Sequence, residues 1–69
     1  MDTQIIEKRD IIESFVMRNM GRRVMVRERM GRRHIGMIDG IVPGRGMFIR
    51  NRFRRIFLPF FLIATLFLI

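Results

Sequence analysis

Thirteen arginines, six carboxylates, one histidine and one serine hold most of the reactive polar chemistry in this 69-residue chain. Ser14 falls on a predicted helix, with no histidine and aspartate spaced to form a triad with it. Glu28 and Asp39 can meet across neighbouring strands, but two acids among so many arginines are expected to form ion pairs rather than act as an acid–base couple. The absence of cysteine excludes disulfides and thiolate metal sites, and His34 alone cannot build a histidine-rich metal centre. The segment GIVPGRG, residues 40–46, has the glycines of a phosphate-binding loop. It lacks the Lys-Ser/Thr ending and joins strand to strand where such a loop must open a helix. The expectation is a chain without catalysis, cofactor or metal.

The arginines offer binding chemistry instead. Arg22, Arg23, Arg32, Arg33, Arg45, Arg50, Arg52, Arg54 and Arg55 fall mostly at predicted strand ends and turns, where several can share a rim. Guanidinium groups grip phosphate bidentately and stack on aromatic faces, so nucleic acid, anionic lipid or an acidic protein would each suit them. Phosphate contacts give affinity without sequence readout. Phe48 and Phe53 are the aromatic candidates for base stacking, with a place in the core as the alternative for each. The plainer reading of the arginines is a solvated surface.

Charge divides the chain into three zones. Residues 1–17 hold Asp2, Glu7, Asp10 and Glu13 against Lys8 and Arg9, a balance of −2. Residues 18–55 hold twelve arginines against Glu28 and Asp39, a balance of +10, and residues 56–69 hold no charge. The acidic start and basic middle are complementary, so contacts between copies would gain electrostatically.

These side chains need elements to position them. Residues 3–19 have the pattern of a helix: Asp2 or Thr3 as N-cap, Glu7 in the first turn, and Ile5, Ile12, Phe15 and Val16 on one side with Met20 near its edge. Arg9 and Glu13 are spaced to pair on that helix, and Gly21 ends it. From there the period drops to two. RRVMVRER places Val24 and Val26 on one face; after a turn at Gly31, HIGMIDGIV places Ile35, Met37 and Ile41 together with Asp39 as the odd member. Pro43 and Gly44 make a turn, MFIR follows, and after Asn51–Arg52 comes FRRIFL. Gly36 and Gly40 inside the second of these four strands predict a bend or bulge. The fold class is α+β: an N-terminal helix, then a small antiparallel β-meander or partly open barrel, with an apolar C-terminal segment. The single domain divides into a helical arm (1–20), a basic β-rich region (21–58) and the apolar segment (59–69).

A helix followed by short, bent antiparallel strands, with a glycine such as Gly36 or Gly40 in the second, resembles the Sm-like and SH3-like small barrels over roughly residues 3–58. The resemblance implies nucleic-acid binding. Because the central strands carry no Tyr or Trp, and no histidine besides His34, that binding is expected to use non-specific phosphate contacts. The ending RRIFLPFF also resembles the tails of small uncharacterised and coat proteins of spore-forming bacteria.

The C-terminal run contains eleven Leu, Ile or Phe residues among the fourteen of 56–69. As a helix it would span about 21 Å, less than the ~30 Å of a bilayer's hydrocarbon core. Apolar on every side, it would need burial all round, in lipid or among other copies. Phe57, Leu58, Phe60, Phe61, Leu62, Ile63, Leu66, Phe67, Leu68 and Ile69 are therefore the candidate membrane or oligomer contacts. The flanking Arg50, Arg52, Arg54 and Arg55 suit anionic lipid. A domain this small without disulfide or metal has few sources of stability, which favours a homo-oligomer. The N-terminus has no apolar stretch of a secretory signal. The expectation is an intracellular structural protein, associated with a membrane or built into a large assembly.

Overall fold

The structure, a computed structural model, describes residues 9–69, with side chains from residue 11 onward. A helix α1 (Arg9–Arg18) precedes strands β1 (Arg23–Glu28), β2 (Arg33–Val42), β3 (Gly46–Arg50) and β4 (Arg55–Pro59). A single 3₁₀ turn (Phe60–Leu62) then leads into β5 (Ile63–Leu68). All pairings are antiparallel, and the five strands form one sheet in the order β4-β3-β2-β1-β5. The α+β reading and its meander are present, and the sheet is open between β4 and β5.

The helix exists because its apolar residues fall on one side: Ile12, Phe15 and Val16 are buried against the sheet. Met20, expected at the edge of that stripe, lies past the end of the helix and is exposed. Ile5, the cap at Asp2 or Thr3, and Glu7 lie outside the described residues. The side chain of Arg9, the expected partner of Glu13, also lies outside them; both Glu13 carboxylate oxygens accept from the Gly44 backbone N–H, at 3.1 and 3.2 Å. Gly44 has φ +74°, which favours glycine in this turn between β2 and β3, and the contact clamps helix to turn.

β2 is the spine of the sheet. Its first half pairs with β1 and its second half with β3, and Met37 belongs to both ladders, opposite Arg23 and opposite Arg50. One strand can serve two partners this way only if it bends. Gly36 sits beside the changeover, facing inward; a Cβ there would lie 2.5 Å from the Ile49 side chain and 2.7 Å from the Arg50 carbonyl oxygen.

The pairing corrects the expected faces of this strand. Directly opposed residues share a face, and Val24 and Val26, both fully buried, oppose Gly36 and His34. Ile35 and Met37 therefore point outward, 50% and 48% exposed, instead of joining the core. A bulge between Ile38 and Gly40 then reverses the phase, so that Ile41 packs against the core as expected. Asp39, the odd member of the sequence pattern, is the bulged residue. Phe48 faces outward for the same reason, and Met47 and Ile49 on the opposite face are buried.

The C-terminal segment is neither a helix nor an appendage. Leu58, Phe60, Ile63 and Leu66 are buried in the chain's own core together with the helix residues and the two valines. A second bulge, at Ala64 on β5 opposite Arg27 and Glu28, lets both Ile63 and Leu66 point inward although they are three apart. This fifth strand buries Ile63 and Leu66 without lipid or a second copy. It covers the edge of β1, which the four-strand reading left open.

Candidate nucleic-acid interface and sheet edges

The outer face of the sheet carries a row of long side chains at one level: Arg23 on β1, Met37 on β2, Arg50 on β3 and Arg55 on β4, each opposite the next. The bulge aims Asp39 into this row. Its carboxylate accepts from Arg55 at 2.6 Å and from Arg50 at 3.1 and 3.2 Å. The Arg55 guanidinium also lies 3.8 Å from the centroid of the Phe48 ring, and Phe48 in turn stands 5.1 Å from Phe57. Phe48 is thus occupied as a stacking surface by Arg55.

Asp39 is held below its ordinary value of 3.8, first by the hydrogen bond from Arg55 and then by Arg50, with partial desolvation opposing them. A depressed carboxylate pKa contributes stability that is complete above the unfolded value and lost as pH falls through the folded one. Between pH 6 and pH 3 the thermal midpoint of the protein should therefore fall further than that of Asp39→Asn, which has nothing to protonate at this site. Equal falls in the two proteins would show that the cluster does not contribute.

Glu28 and Asp39, which the sequence allowed as neighbours, are separated. Glu28 pairs with His34, and Asp39 pairs with the two arginines. No group of three or more His, Asp or Glu able to hold a metal occurs among the described residues.

Arg50 leads into the turn Asn51–Arg54. The Asn51 N–H donates to the Arg54 carbonyl at 2.9 Å. The Asn51 side-chain oxygen accepts from the N–H groups of Phe53 and Arg54, at 2.8 and 3.0 Å. This side-chain cap fixes the backbone of the turn and holds Phe53 outward, 85% exposed, with the Arg52 guanidinium 5.9 Å from its ring centroid. Arg23, Arg50, Arg52, Asn51 and Phe53 border a depression of about 620 Å³ over Ile35, Gly36 and Met37. An adjoining one of about 420 Å³ runs along residues 50–55.

Of the nine arginines read from the sequence, the fold gathers Arg23, Arg50, Arg52, Arg54 and Arg55 around this turn. Arg22 lies in the α1–β1 connection, Arg32 and Arg33 at the start of β2, and Arg45 in the turn before β3; these are not in the depression. The exposed Ile35 and Met37 were not legible as site residues, because their exposure depends on the bulge at Asp39. Asn51 had a signal: an asparagine two residues before the aromatic of a turn caps its own backbone.

The two outer strands offer a different chemistry. The bonds Asn51 N–H to Arg54 O and Phe60 N–H to Arg45 O, both 2.9 Å, mark hydrogen-bonded rungs at either end of the β3–β4 ladder. Rungs alternate in antiparallel pairs, so Arg55 and Phe57 turn their N–H and C=O groups to the free side of β4. On β5 the bond from Ile69 N–H to Arg23 O, 3.0 Å, sets the same alternation and turns Leu66 and Leu68 outward along the edge. Of the ten residues proposed as membrane or oligomer contacts, Leu58, Phe60, Ile63 and Leu66 have their side chains in the core, and Leu62, Phe67 and Leu68 are half-buried. Phe57, Phe61 and Ile69 are exposed, on β4, in the 3₁₀ turn after it, and just past β5. Among the described residues no helix is long and apolar enough to cross a membrane.

No protein-family model, no curated protein and no solved structure gives a significant match to this chain.

Proposed function

We propose that the chain is a non-enzymatic structural protein that self-assembles by strand addition, the free edge of β4 in one copy pairing with the free edge of β5 in the next, and that the assembly presents its arginines to an anionic partner. The observation that carries this reading is the strand order, which leaves two different edges, each with outward backbone groups at alternate residues. Unpaired edges recruit strands. Because the two edges are different, the contact is head-to-tail, and repeated rotation gives a ring or a filament. Phe57, Phe61 and Ile69 lie beside those edges and would leave water on assembly. The small-barrel resemblance agrees with nucleic acid as the anionic partner. Membrane association was the other expectation for the apolar segment, of which Leu58, Phe60, Ile63 and Leu66 lie in the core and Phe57, Phe61 and Ile69 stay exposed.

The test uses a substitution that the fold tolerates. Phe57 is exposed and its N–H faces the free side of β4, where proline interrupts an edge without breaking the ladder to β3. Sedimentation of the wild-type chain is expected to give a mass several times the 8.3 kDa of one copy, and Phe57→Pro to give 8.3 kDa with the same circular dichroism. A wild-type chain that sediments at 8.3 kDa across micromolar concentrations removes the assembly.

A further inference from the structure

We infer that the depression beside the Asn51–Arg54 turn is a binding site for single-stranded nucleic acid, with one unpaired base stacked on Phe53 and the adjoining phosphates held by Arg23 and Arg52. This deepens the anionic-partner half of the function proposed above and is independent of the assembly half. Three features converge there. Phe53 is 85% exposed, yet it is not on a loose loop: the Asn51 side chain fixes the backbone N–H groups of Phe53 and Arg54, so the ring is presented in one place at little cost in ordering. Next to the ring lies a concave floor of Ile35 and Met37, both about half exposed, of a volume suited to a base and its sugar. Around that floor stand arginines from β1, β3 and the turn.

The charges also favour this ligand over a bare acidic surface. Asp39 ties Arg50 and Arg55 to the far side of the row, and Arg55 is further held on Phe48. Among the described residues no carboxylate contacts Arg23 or Arg52, so these two can accept phosphate without breaking an ion pair. A paired base cannot reach Phe53, because both its faces are already stacked within a duplex. An unpaired one has a free face, and base–aromatic stacking is tolerant of sequence. The alternative reader of an exposed aromatic among arginines is a lipid surface, which meets a flat array; here the apolar atoms line a hollow.

The experiment is fluorescence anisotropy of a labelled ten-nucleotide single strand titrated with the full chain, with the same sequence as a duplex and phosphatidylserine vesicles as the other arms. Phe53→Ala should weaken single-strand binding about 5- to 100-fold, Phe53→Trp should retain or strengthen it, and Arg23→Gln with Arg52→Gln should flatten its salt dependence. A 2-aminopurine placed in the strand should be quenched by the wild-type chain and not by Phe53→Ala. The inference is overturned if Phe53→Ala binds the single strand as well as the wild type, if the duplex binds as tightly as the single strand, or if binding to vesicles shows the same dependence on Phe53. Sedimentation of each variant separates this outcome from the assembly: a monomeric chain with Phe53-dependent binding would refute the edges and leave the site standing.

Discussion

Gly36→Val is expected to leave no folded protein, and Gly36→Ala to lower the thermal midpoint by well over ten degrees. The added methyl of alanine would sit 2.5 Å from Ile49 and 2.7 Å from the Arg50 carbonyl oxygen, and the second of these is backbone. A flexible side chain can move aside, but this oxygen belongs to the rung where Met37 opposes Arg50. Relief therefore requires β2 and β3 to separate at the bend. Overpacking with a movable neighbour costs about 1–3 kcal/mol, and a rigid one costs more. A chain of this length has roughly 3–10 kcal/mol in total. Thermal unfolding followed by circular dichroism decides it: a Gly36→Ala midpoint within two degrees of wild type would mean that β2 does not bend where the structure bends it.

Removing residues 63–69 is expected to abolish cooperative folding. From the sequence, the C-terminal run was expected to contact lipid or other copies, outside the chain's own core. The structure changes that expectation, because β5 is part of the sheet. Its loss deletes Ile63 and Leu66, both buried, together with Leu68, and uncovers Val24 and Val26 on β1. At about 1.5–3 kcal/mol for each of the three deleted side chains, the deficit of roughly 4–9 kcal/mol matches the whole stability of such a domain. A shortened chain with a sigmoidal thermal transition and native-like circular dichroism would refute this account of the core. Leu66→Ala, a milder version, should cost about 2–5 kcal/mol and leave a folded chain that melts earlier.

The helix, the turns and four of the strands were legible because each had a local cause: an apolar stripe at helical spacing, Gly21 and Gly44 at stops, and alternation around Val24 and Val26. The phase of β2 was not. Ile35, Met37 and Ile41 are separated by even numbers of residues, and nothing local reveals that Asp39 is an inserted residue which moves the first two to the outside. The cause of the bulge is tertiary, since it delivers that carboxylate to Arg50 and Arg55 from two other strands. β5 was missed for a different reason. A run of Leu, Ile and Phe has no period to read, and a second bulge puts inward residues three apart, as a helix would. Ile63, Thr65 and Phe67 favour strand by type, and that was the available signal. The arginine rim was legible as composition but not as a place: only the pairing of four strands assembles Arg23, Arg50 and Arg55 at one level.

The pairing of β1 with β5 also sets how quickly the chain can find its structure. Val26 opposes Leu66, forty positions further along a chain of 69 residues. The helix and the three hairpins β1–β2, β2–β3 and β3–β4 close short loops and can form within microseconds. The last ladder must bring together the two ends of the sheet sequence, and its loop entropy is lost before any of its contacts form. Folding should therefore run on the millisecond-to-second scale of non-local β topologies rather than that of helical bundles of equal size. Amides of β1 that donate to β5 should gain protection from hydrogen exchange later than those of the β2–β3 hairpin.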